Sequence, residues 1–110
     1  MEYVEKIYTL NEIKQCITQI IGNDYPEIKK VGLFGSYARN EAHAMSDLDL
    51  MIIEPSCIRG MVMWSLSGDI KEALKKPVDI FRLDSVDTDS CFYENLEKEM
   101  VIIYDNSNNE

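Results

Sequence analysis

Ile13, Ile17, Ile20 and Ile21 recur every three or four positions, the spacing that lays side chains along one face of a helix. Just before them, Thr9-Leu10-Asn11-Glu12 has the form of a capping box, with Thr9 accepting an amide of the first turn and Glu12 reaching back. Gly22-Asn23 is expected to stop this helix. Upstream, Val4 to Tyr8 reads as an edge strand or an ordered arm. After a turn at Asp24-Tyr25-Pro26-Glu27 the pattern shortens. Lys29 to Phe34 is an apolar strand, and Asp47 to Ile53 alternates as a half-buried strand that Glu54-Pro55-Ser56 ends. Pro77-Val78-Asp79-Ile80-Phe81 and Val101 to Tyr104 read as two more strands. Between Ile58 and Lys75, Val62, Leu66, Ile70, Ala73 and Leu74 return to helical spacing, as one helix or, because of Gly60 and Gly68, as two with Ser67 capping the second. A polar connection at Asp84 to Asp89 leads to a last helix, capped by Asp87, Thr88 or Asp89, that turns Phe92, Leu96 and Met100 inward.

With a further short helix at Tyr37 to Glu41, helices and strands alternate along the chain. This predicts an α+β fold: a small mixed sheet of about four strands, helices packed mainly on one face, and an acidic cleft on the other. The 110 residues suit one domain over 1–105, with 106–110 as a disordered tail, and leave no room for a second domain to hold a large acceptor. The net charge of −9 argues against a nucleic-acid partner, which needs a positive field, and suits a basic protein partner or simple solubility. Cys16, Cys57 and Cys91 are odd in number and lack CxxC spacing, so they read as reduced, buried or half-buried thiols of a cytoplasmic protein. No apolar run is long enough for a bilayer, and MEYVEKIYTL lacks the apolar core of an export signal.

Candidate chemistry concentrates in Leu33 to Leu50, LFGSYARNEAHAMSDLDL. Residues i and i+2 of a strand share a face, so Asp47 and Asp49 project together while Leu48 and Leu50 enter the core. Asp79, between apolar neighbours, could supply a third carboxylate. Three carboxylates within about 5 Å would repel by roughly 3 kcal/mol per pair, so they must share protons or hold a cation. Oxygen-only donors suit a hard ion such as Mg²⁺, which takes further ligands from substrate phosphates. Gly35-Ser36 supplies a sharp turn, open backbone amides and a hydroxyl, which suit a polyphosphate. Arg39 could neutralise phosphate charge or pair with Glu41 or another acid. His43 reads as a solvated side chain bordering the cleft, and Tyr37 and Trp64 as packing residues. Arg82, taken to share the strand face of Asp79, could reach a phosphate or form a salt bridge.

Gly35-Ser36, ten intervening residues and then Asp47-Leu48-Asp49 resembles the GSx10DxD signature of the nucleotidyltransferase superfamily that includes DNA polymerase beta. With IYTLNEIK, LFGSYARNEA, SDLDL, KKPVDIF and VIIY, about residues 6 to 104 resemble the minimal nucleotidyltransferases (MNT), antitoxins often encoded beside HEPN-domain ribonuclease toxins. The resemblance implies transfer of AMP from ATP with two Mg²⁺ ions. Gly35 and Ser36 would then hold the triphosphate and Asp47 and Asp49 the metals, with Asp79 sharing a metal and taking the proton of the attacking hydroxyl; Arg39 is placed with the nucleotide-binding residues on its own charge, not on the resemblance. It further implies a HEPN-domain toxin as partner and a tyrosine acceptor on it. Asn40 stands where the family has a second glycine, and asparagine tolerates the left-handed backbone such a turn needs. Two rival readings are a non-catalytic antitoxin that occludes a basic toxin surface and a nucleotidyltransferase acting on a small molecule. The oligomeric state, homomeric or heteromeric, is open.

Overall fold

A computed structural model of the chain describes residues 3–55, 58–83 and 91–106. The first helix, α1 (Leu10–Asp24), starts as its capping box requires: Thr9 Oγ1 accepts the Glu12 amide at 3.1 Å and Glu12 Oε1 accepts the Thr9 amide at 3.0 Å. It passes through Gly22 rather than stopping there and ends at Tyr25, whose φ of −133° suits the residue before Pro26. Ile13, Ile17 and Ile21 are fully buried, and Ile20 flanks them.

Four strands follow: β1 (Lys30–Phe34), β2 (Leu48–Glu54), β3 (Val78–Arg82) and β4 (Val101–Asp105), arranged β3-β2-β1-β4. β1 runs antiparallel to both β2 and β4. β2 and β3 are parallel because α2 (Gly60–Leu74) crosses over between them, the connection a parallel pair demands. α2 is one continuous helix of 15 residues. Ser67 caps nothing; its hydroxyl donates to the Val78 carbonyl at 3.5 Å. Burial of Leu66, Ile70 and Leu74 on one stripe outweighs the helix cost of Gly68, and Lys75, left-handed at φ 55°, ends the element.

Alternation within the strands divides the core. Val31, Leu33, Leu48, Leu50, Ile52 and Val78 meet α1 and α2 on one face. On the other, α3 (Cys91–Glu99) sets Leu96 against Phe34 and Met51, with Met100 alongside. The second face is therefore covered in part by α3, and the cleft occupies what α3 leaves open. The fold is the expected α+β arrangement, with two of the three helices of the described residues on one face.

Residues 4–8 form an arm, not a strand. Its Val4 amide donates to the Lys75 carbonyl at 2.9 Å and the Tyr8 hydroxyl to the Leu74 carbonyl at 2.6 Å. Tyr37 to Glu41 is a compact turn instead of a helix, because Asn40 takes a left-handed φ of 60°. Trp64 is 82% exposed, contrary to its expected packing role, while Tyr37 is buried. Cys16 is half-buried, within the expected range, burial pushing its thiol above the usual value; Cys91 is exposed, against the expectation of a buried or half-buried thiol. Cys57, the caps at Asp87, Thr88 or Asp89, the Phe92 side chain and residues 107–110 lie outside the described residues. Among those described, no helix is long and apolar enough to cross a membrane.

Candidate functional site

The site grows from the point where β1 ends. Phe34 packs against the α3 side of the sheet, and the chain turns immediately through Gly35 at φ 78°. A Cβ at this position would collide with Asp49 Oδ2, so the glycine serves two needs: a left-handed turn and close approach of a carboxylate to bare backbone. Three amides close the following turn, Arg39 onto the Gly35 carbonyl at 3.1 Å, Asn40 onto the Tyr37 carbonyl at 3.3 Å and Glu41 onto the Ser36 carbonyl at 2.9 Å. Buried Tyr37 anchors it from below, its hydroxyl accepting the Tyr8 amide at 3.5 Å.

Asp49 is the centre of the acidic row. In the sheet it pairs with Phe34 of β1 on one side and with Asp79 of β3 on the other. It is half-buried, and its carboxyl is held above the ordinary range by burial first, then by Asp79 and Asp47, with Arg39 pulling the opposite way. Asp47 is exposed just before β2, at the end of a tight turn. There the Ser46 amide donates to the His43 carbonyl at 2.9 Å and the His43 amide to Ser46 Oγ at 2.8 Å.

These parts enclose a cleft of about 680 Å³. Gly35, Ser36 and Arg39 form one side, Asp47 and Asp49 the base, and His43, Met45 and Ser46 an adjoining wall; Asn95, Leu96 and Glu99 of α3 complete the rim. Five of the expected site residues thus meet in one cavity: Gly35, Ser36, Arg39, Asp47 and Asp49. Asp79 stands beside Asp49 in register but is exposed and outside the lining. Among the described residues no three His, Cys, Asp or Glu side chains close into a metal cage. The donor set still fits a hard divalent ion. It consists of carboxylate oxygens under mutual repulsion, and Mg²⁺ is commonly held by one or two carboxylates with phosphate oxygens and water filling the rest.

Arg39 is engaged by acids, its Nε on Glu41 at 3.1 Å and its Nη1 on Glu99 at 3.2 Å. Arg82 belongs elsewhere. It is three residues from Asp79, hence on the opposite strand face, where its Nη1 donates to the Ile58 carbonyl at 3.1 Å beside a groove containing Glu27 and Arg59. The α3 contribution is not legible in the sequence, because the helical pattern identifies Leu96 as inward but not which part of the sheet it covers. Nor is that of Lys76, whose burial no local pattern signals.

Fold and cleft together define the nucleotidyltransferase class. The family model described as "Polymerase beta, Nucleotidyltransferase" matches residues 14–109, and the chain belongs to that family. Protein adenylyltransferase MntA of Shewanella oneidensis is 30% identical over 82 residues, which make up 74% of this chain and 58% of MntA. The chain thus spans somewhat more than half of that relative. MJ0435 of Methanocaldococcus jannaschii, provisionally named a protein adenylyltransferase, is 32% identical over 77 residues, 70% of this chain and 81% of its own. Among solved structures, a toxin-antitoxin with AMP-PNP superposes with a TM-score of 0.71 at 21% identity, covering 86% of this chain and 74% of the other. A tri-AMPylated Shewanella oneidensis HEPN toxin in complex with MNT antitoxin gives 0.66 at 18% identity, covering 88% and 73%. At these identities the likeness is one of fold.

Proposed function

We propose that the chain is a Mg²⁺-dependent adenylyltransferase that moves AMP from ATP to a tyrosine hydroxyl of a HEPN-type toxin in the cytoplasm, and so acts as its antitoxin. One observation carries this reading: the left-handed Gly35 turn and the Asp47-Asp49 pair share a cleft, with Asp49 seated against the glycine and paired with Asp79. The names of MntA and MJ0435 support the reaction class, and the tri-AMPylated toxin complex supports the acceptor class.

In the reaction the acceptor oxygen bonds to Pα, the bond from Pα to the bridging oxygen breaks, and pyrophosphate leaves. Gly35 and Ser36 would receive the phosphates through backbone amides and a hydroxyl. Asp47 and Asp49 would hold two Mg²⁺ ions, shared on one side by Asp79, and these would neutralise the triphosphate and polarise Pα. Asp79, at the exposed edge of the row, would accept the proton released by the attacking hydroxyl. Arg39 would exchange Glu99 for a phosphate oxygen.

The test is transfer of label from α-labelled ATP, with Mg²⁺, to a HEPN-domain partner. Label should appear on the partner with wild type and vanish with Asp47→Asn and Asp79→Asn. Neutralisation of the toxin by both variants without label would replace catalysis by occlusion.

A further inference from the structure

Lys76 and Ser46 are the buried polar or charged side chains of the described residues, and they converge on one turn. The turn from His43 to Ser46 closes on itself through the two His43–Ser46 hydrogen bonds, leaving the Ala44 carbonyl without a partner inside the turn. Lys76 Nζ donates to that carbonyl. At 1% exposure the ammonium has been taken out of water, so the bond is charge-assisted and poorly replaced by solvent. Burial also holds this ammonium below the ordinary lysine value, with Glu5 pulling it back up. The next residue acts on the same segment, for the Leu48 amide donates to the Pro77 carbonyl at 2.9 Å. Residues 76 and 77 therefore grip the chain three residues before Asp47 and one residue after it. The arm adds a third tie, through the Val4 amide on the Lys75 carbonyl at 2.9 Å.

We propose that Lys76 is a positioning residue for Asp47: its buried contact with the Ala44 carbonyl fixes the turn that presents this carboxylate to the cleft. The inference rests on the reading of Asp47 as a metal and nucleotide ligand. Its physical basis is that Asp47 is exposed and lies outside β2, so no ladder of strand hydrogen bonds holds it from the N-terminal side. A carboxylate on an untethered loop would lose its aim, whereas groups that orient a ligand from behind typically govern metal affinity by 10- to 100-fold. A leucine or methionine at 76 would satisfy the packing. Only a long side chain with a donor at its end satisfies the carbonyl.

The experiment compares wild type, Lys76→Met and Lys76→Arg. Mn²⁺ binding in the presence of a non-hydrolysable ATP analogue is read by electron paramagnetic resonance, and amide exchange at residues 45–48 is read in the metal-free protein. Lys76→Met should unfold within a few degrees of wild type, because removing a buried charge offsets the lost hydrogen bond. It should exchange faster across residues 45–48 and bind Mn²⁺ about tenfold more weakly. Lys76→Arg, which keeps a cationic donor, should recover most of both. Unchanged exchange and Mn²⁺ affinity in Lys76→Met, or losses that only follow a global fall in Tm, overturn the proposal. If Lys76→Met does not fold, Lys76→Leu, which also lacks a donor, carries the same comparison. Wild type that binds no Mn²⁺ with the analogue would overturn the functional reading itself, while the exchange comparison would still decide what Lys76 does to the turn.

Discussion

The fold disfavours the ionised form of Asp49. In an unfolded chain it titrates near the usual aspartate value of about 3.9. In the folded chain burial, Asp79 and Asp47 raise that value, so the native state binds the proton more tightly. The sign follows from linkage. No cost is present below the unfolded value, and stability is lost as pH rises through the folded value. Asp49→Asn should therefore melt a few degrees above wild type at pH 7, the difference closing toward pH 3, as thermal scans across pH would show. On the proposed reading the same substitution should reduce AMP transfer at least about a hundredfold, because a cation held by Asp49 would lose a ligand. Arg39 gives a second prediction. If Arg39 takes phosphate as proposed, its partner Glu99 competes for it from the cleft rim, so Glu99→Gln should tighten ATP binding about two- to fivefold, the worth of an exposed ion pair. Arg39→Ala should weaken binding instead, and calorimetry with a non-hydrolysable analogue separates the two.

At the scale of elements, the turn after β1 and the helix α2 use glycine for opposite reasons. Gly35→Ala must bear a left-handed φ and a collision with Asp49, so it should cost about 1–3 kcal/mol and abolish nucleotide binding. Gly68, mid-helix, has open space where a Cβ would go, so Gly68→Ala should stabilise by about 0.5–1 kcal/mol and leave nucleotide binding unchanged. Denaturant unfolding of the two variants measures the contrast. Both turn glycine and acidic strand were legible in the sequence because each depends on local chemistry: a φ that Gly35 adopts freely and an alternation that places Asp49 opposite Leu48 and Leu50. Asn40, read as a tolerated left-handed residue, takes that conformation at φ 60°. The illegible parts depend on distant chain. Tyr37 to Glu41 looked helical because its stop signal was a residue compatible with either state, and Gly22 did not end α1 because Pro26 set the boundary instead. Trp64 is a different case: the helical spacing of Val62, Leu66 and Ile70 already sets it on the far side of α2, and the expectation of packing followed its residue type rather than that register.

For the whole molecule, the governing fact is an excess of negative charge, −9 over 110 residues, gathered in part around the cleft that also holds the Gly35-Ser36 turn. On the proposed reading a cation and a triphosphate complete such a site together, each binding its own half of it. Mg²⁺ together with a non-hydrolysable ATP analogue should then raise Tm well beyond either alone, by an amount equivalent to about 2.7 kcal/mol at a hundredfold excess over Kd. Asp49→Asn should lose this gain while keeping its own higher baseline. The most direct measurement is a crystal structure of the protein with Mg²⁺ and that analogue. The account predicts the triphosphate on the Gly35-Ser36 turn and Mg²⁺ ligated at about 2.1 Å by Asp47 and Asp49, with Asp79 drawn onto the same cluster. A nucleotide bound outside this cleft, or bound in it with both Asp47 and Asp49 turned away from the metal, would contradict it.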